Sequence, residues 1–117
     1  MQFPVIFAFV VGLGMIGQWG ASALRGQIPE LKTEPIRIAF HLAAEFGTSI
    51  TLLAGGLGLI LEASWAAPVY LIGSGMLLYT AIVSPGYFVQ RGQKEWLAVF
   101  AVLIVLDVFS VLVVLSQ

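Results

Sequence analysis

Apolar residues run through this chain in four long stretches separated by short polar segments. The first extends from about Phe3 to Leu24, the second from about Ile36 to Leu61, the third from about Ala67 to Phe88 and the fourth from about Trp96 to Leu115. Each has roughly the 20 residues that an α-helix needs to cross the hydrocarbon of a bilayer. Hydrocarbon offers no hydrogen bonds, so a spanning segment of this length must satisfy its backbone internally, as a helix. The pattern predicts an all-α integral membrane protein: one transmembrane domain over residues 1–117, folded as a four-helix bundle. The helix breakers agree. Pro35 suits a first helical turn after Thr33 or Glu34, and Pro68 suits the start of span three after Ser64. Gly92 punctuates the third loop. Pro85 and Gly86 lie inside span three and predict a kink or local unwinding there.

Composition narrows the class. Hydrophobic residues make up 60% of the chain and charged ones 9%, about a third of the charge that a soluble domain carries. Five Lys and Arg stand against six Asp and Glu, so no basic field exists to hold nucleic acid. The absence of cysteine excludes disulfides, thiolate-ligated zinc, iron–sulfur clusters and thiol catalysis from this chain. With His41 the single histidine, one chain has no two-histidine metal or haem site. Ala21-Ser22-Ala23 resembles a secretory cleavage site, but Met1 to Pro4 carry no positive side chain. The first stretch is therefore read as a retained span.

Charge sets the expected direction. Arg25, Lys32 and Arg37 lie in or beside loop one, and Arg91 and Lys94 lie in loop three, whereas loop two carries only Glu62. The positive-inside rule then puts loops one and three in the cytoplasm and both termini on the extracellular or periplasmic side of a plasma membrane. Trp65 and Trp96 sit at span ends, as interfacial anchors do, while Trp19 lies further in. Loop one, Gly26 to Glu34, is read as a solvated turn of mixed charge, with Ile28 and Leu31 able to dip into the interface.

Small residues hold membrane helices together by allowing close approach. Gly47, Thr51 and Gly55 recur at four-residue spacing in span two, beside Gly56 and Gly58. Span one has Gly12, Gly14, Gly17 and Gly20, and span three has Gly73 and Gly75. They are read as seams between helices of one chain. Span four has no glycine and is expected to face lipid over much of its surface.

Two charged residues lie well inside the spans, Glu45 and Asp107. Intramembrane carboxylates usually face a bundle interior and mark function. Helical periodicity groups polar residues with them: His41, Glu45 and Thr48 on span two, Thr80 and Ser84 on span three, Gln18 on span one, and Ser110 one turn past Asp107. By rise per residue, Glu45 falls below the midplane and Asp107 close to it, counted from the cytoplasmic side. Gln18, His41, Glu45, Thr48, Thr80, Ser84 and Asp107 are therefore expected to line one polar pocket in the cytoplasmic half, with an apolar seal in the other half.

Three uses of such a pocket compete. One is a structural network, in which His41 bonds Glu45 and Asp107 takes Gln18 or Ser84. Another is a site for a lipophilic small molecule, quinone-like or lipid-like. The third is proton coupling, in a small-molecule transporter acting as a homodimer. His41 and Glu45 at i and i+4, with Asp107, are the weak candidates for a metal, but no Glu-x-x-His di-iron pattern is present. No nucleophile–base pair points to an enzyme. Membrane lipids, further copies of the chain or a larger membrane complex are the expected partners.

The run Glu45-Phe46-Gly47-Thr48 through Leu52-Leu53-Ala54-Gly55-Gly56-Leu57-Gly58-Leu59, followed by a short turn and a small-residue span with Met76, resembles the DoxX-like family over residues 45–80. That resemblance implies a small four-helix membrane protein with a link to membrane redox or quinone systems. Glu45 and the Gly55–Gly56 pair carry over. Glu62 and Trp65 stand where that family has a basic residue after span two. The small multidrug-resistance transporters are similar in size and span number, but they keep an essential glutamate in span one, where this chain has no acidic residue.

Overall fold

The computed structural model describes residues 2–117 and consists of five helices: α1 (Gln2–Leu24), α2 (Glu30–Thr33), α3 (Pro35–Ile60), α4 (Ala66–Gln90) and α5 (Glu95–Leu115). Four of them, all except α2, are long and apolar enough to cross a membrane. The bundle is 45 Å long. α1 packs against α3 and α5, and α4 packs against the same two, so α1 and α4 stand on one diagonal and α3 and α5 on the other. The α1–α5 seam is the thinnest of the four.

The turns explain the helix ends. Gln27 N–H donates to Ser22 O, Ala63 N–H to Gly58 O, and Gln93 N–H to Phe88 O, each a six-residue closure that satisfies a terminal carbonyl. This closure needs a left-handed residue one position earlier, and Gly26 (φ 66°) and Gly92 (φ 78°) supply it without strain. The middle turn has Glu62 there, at φ 53°. α4 remains helical through Pro85 to Gln90, so the local unwinding expected at Pro85–Gly86 does not occur.

Glycine sets the closest approaches. A Cβ on Gly55 would lie 2.7 Å from Tyr70 Cα, and one on Gly73 would lie 3.0 Å from the Leu52 nitrogen. Helices α3 and α4 therefore meet almost backbone to backbone. Between α1 and α3, Gly12 makes room for the Leu53 side chain and Gly56 for the Ala8 methyl and the Phe9 ring. Phe7, Ala8, Leu52, Tyr70, Leu77 and Val114 form the buried core. Elsewhere the surface is greasy: Val99, Val102, Val105, Phe109 and Leu112 of α5 are all exposed, as a lipid-facing helix requires. Tyr79 also points outward.

Loop one departs from the expected solvated turn. α2 forms within it, and Ile28 is buried at 6% exposure while Leu31 stays exposed. Glu30 accepts from Tyr87 Oη at 2.9 Å and from Arg91 Nη2 at 3.0 Å. Arg91 also lies over the Tyr87 ring, 4.2 Å from its centre. Loop one is thereby fastened to the end of α4.

Candidate functional site: two buried carboxylates at different heights

Glu45 is buried on the face of α3 that turns toward α4. Its Oε1 accepts a hydrogen bond from Thr80 Oγ1, and Thr80 Oγ1 lies 3.0 Å from Ser84 Oγ one turn further along α4. His41 Nε2 stands 3.6 Å from the same carboxylate oxygen, a charge-pair distance rather than a hydrogen bond. The His41 side chain is 41% exposed, against 5% for Glu45. Its ring meets Trp19 of α1 edge to face at 5.4 Å. An interior acid is thus linked, through one imidazole and beside one indole, to the outer surface of the bundle. Thr48 is buried next to this group but donates to Ala44 O of its own helix.

Asp107 is not part of this group. It is fully buried, and its Oδ1 accepts from Ser74 Oγ at 2.6 Å. Ser110 Oγ donates to the Asp107 carbonyl at 2.7 Å. Asp107 Oδ2 and Tyr70 Oη are buried with no partner in hydrogen-bonding geometry, and the Ser110 hydroxyl and the Asp107 carboxylate both lie near the Tyr70 hydroxyl. Ser74 and Thr80 are six residues apart on α4, so the two carboxylates sit about 9 Å apart in height.

The structure therefore divides the expected single pocket. His41, Glu45, Thr48, Thr80 and Ser84 come together. Asp107 lies nearer the Glu62 end, in the half expected to be purely apolar, bonded to neither Gln18 nor Ser84. Gln18 is exposed. It does not join the pocket expected of it: α1 buries Ala8 and Gly12 and turns Trp19 toward His41, and Gln18 is about 100° round the helix from Trp19. Ser74 and Tyr70 were missed because α4 has two buried faces. Gly73 and Thr80 meet α3, whereas Ser74 meets α5. The signal was in the sequence, since Ser74 and Tyr70 are four residues apart in a span otherwise poor in polar groups at that height. Among the described residues, no three His, Cys, Asp or Glu side chains converge to hold a metal, because Asp107 is remote from the His41–Glu45 pair.

The chain belongs to the family described as a domain of unknown function, DUF8058, whose profile matches residues 1–117. No curated protein and no solved structure matches it.

Proposed function

We propose that this protein binds a lipophilic small molecule with a polar head, of quinone or lipid type, on the His41–Glu45–Thr80–Ser84 group, and that it does so without catalysis. The supporting observation is the half-exposed His41 imidazole, set between buried Glu45 and the Trp19 ring. A flat carbonyl-bearing head arriving sideways from the bilayer would meet a hydrogen-bond donor, an aromatic edge and a carboxylate behind them. Ligand sites combine apolar walls with a few such convergent polar groups. The resemblance of residues 45–80 to the DoxX-like family is part of this reading, since it makes Glu45 the residue in common. So is the orientation: the segregated basic residues support a reading with the His41–Glu45 group in the cytoplasmic half of a plasma membrane and both termini outside.

The test is native mass spectrometry of protein extracted gently from its membrane. The reading expects a retained small molecule of quinone or lipid mass that is lost in Glu45→Gln. Equal retention by that variant contradicts it.

One observation favours association with a second copy, as the transporter alternative requires. Gln18 is exposed on α1 beside Gly14 and Gly17, where an added Cβ would meet nothing within 4 Å. A side-chain amide both donates and accepts, so two copies meeting at Gln18 satisfy each other in lipid. Cross-linking in membranes should then give a dimer that Gln18→Leu weakens. Transport would add a pH-driven flux in liposomes that Asp107→Asn abolishes.

A further inference from the structure

We propose that Asp107, Tyr70, Ser74 and Ser110 form a site for one small monovalent cation, reached from the recess beside Glu62. The site is distinct from the His41–Glu45 group and stands about 9 Å above it along α4.

Two polar atoms carry the argument. Asp107 Oδ2 and Tyr70 Oη are both buried and both without a partner, although each belongs to a group that seeks hydrogen bonds. Leaving one such atom unsatisfied costs about 1–3 kcal/mol, and an orphaned pair in a native core calls for an unseen water or ion. The surrounding donors are all oxygen: the carboxylate, the Tyr70 phenol, and the hydroxyls of Ser74 and Ser110. Oxygen-only sites suit hard cations. With one carboxylate available, a single positive charge neutralises the site, whereas a divalent ion would leave net charge in hydrocarbon.

No side chain of the protein supplies that charge. Helices α1 and α4, which pack against α5, contain no Lys, Arg or His. The five basic residues lie in or beside loops one and three, at the other end of the bundle. His41 is engaged with Glu45 on α3, diagonally across from α5.

A recess of about 300 Å³ opens between Leu59, Glu62, Ser64, Ala66 and Gln117. Ala66 is one helical turn, about 6 Å, from Tyr70. Glu62 is the single charged side chain at this end of the bundle, and a lone acid in a recess draws cations toward it. It stands at a left-handed turn position where the other two turns have glycine.

The experiment measures thermal unfolding of the full chain in nanodiscs of uncharged lipid, in sodium chloride or choline chloride at equal ionic strength. Sodium should raise Tm saturably, by roughly 5 °C at tenfold its dissociation constant. Tyr70→Phe and Ser74→Ala should each raise the half-saturating sodium concentration about tenfold, and Asp107→Asn should abolish the effect. Glu62→Gln should keep the full rise while needing more sodium to reach it. If Asp107→Asn does not fold, the tyrosine and serine variants decide. Identical Tm in sodium and choline overturns the proposal, since the orphaned atoms then serve no ion. A sodium effect that survives in Tyr70→Phe and Ser74→Ala, or that disappears in Glu62→Gln alone, places the ion elsewhere and also overturns it. Neither result bears on the small-molecule reading, which is read out at His41 and Glu45.

Discussion

The Arg91 guanidinium donates to Glu30 Oε1 at 3.0 Å, joining two residues 61 positions apart in the chain. Burial of Glu30 raises its affinity for a proton, but donation from its own backbone N–H, the Tyr87 hydroxyl, and the charges of Arg91 and Arg37 outweigh it. The carboxyl therefore titrates below the ordinary 4.5. The unfolded chain binds this proton more readily than the folded one, so the latch stabilises fully above pH 4.5 and is lost as pH falls through the lower, folded value. Glu30→Gln should lower Tm at neutral pH by an amount corresponding to no more than about 1 kcal/mol, since the pair is partly exposed. The difference between wild type and Glu30→Gln should shrink as the pH falls below 4.5 and through the lower, folded value. A constant difference across that range would show that the charge is irrelevant to the latch.

Glycine at the α3–α4 seam is a packing requirement. The Cβ of Gly55→Ala would press on the Tyr70 Cα and nitrogen, at 2.7 and 2.9 Å, and backbone cannot swing aside. The helices must part, which should destabilise the fold by about 1–3 kcal/mol. Gly17→Ala meets nothing within 4 Å and should be neutral. Unfolding in mixed detergent micelles compares the two, and equal stability would mean that the seam is not close-packed.

Thr80 matters chiefly because Glu45 is present. Thr80→Val removes the hydroxyl that donates to the buried carboxylate and should cost about 1–3 kcal/mol. In a Glu45→Leu background the same change takes a partner from Ser84 alone and should cost less. A double-mutant cycle on unfolding free energies measures this coupling. Strict additivity would remove the Thr80–Glu45 bond from the account.

Much of the fold was legible because hydrocarbon imposes simple rules. The four helices long and apolar enough to span a membrane match the apolar stretches to within two residues at each end. Gly55, Gly56 and Gly73 lie at helix seams, as expected, but Gly14, Gly17, Gly20 and Gly75, expected at seams too, face open space because their side of the helix meets no neighbour. Rotation about the helix axis was harder to read. Where a span has one polar stripe, as α3 does, Glu45 and Thr48 face inward with His41 at the edge of the stripe, and the sequence reveals it. α1 has only Gln18 as an uncharged polar group at that height, and a single residue does not fix an azimuth. α4 touches two neighbours, so its polar groups divide between Glu45 and Asp107. The Glu30–Arg91 latch was illegible for a different reason: both residues look like ordinary loop charges until the turns bring them together.

The claim that matters most is that the His41–Glu45 group receives a lipophilic head from the bilayer, and Trp19 provides its own probe. With Trp65 and Trp96 replaced by phenylalanine, Trp19 fluorescence can be followed in nanodiscs during titration with a short-chain quinone. The account predicts saturable quenching, with the half-saturating concentration raised at least about tenfold in His41→Ala and Glu45→Gln, the equivalent of roughly 1.4 kcal/mol. Quenching that rises linearly without saturation, and equally in all three proteins, would contradict it.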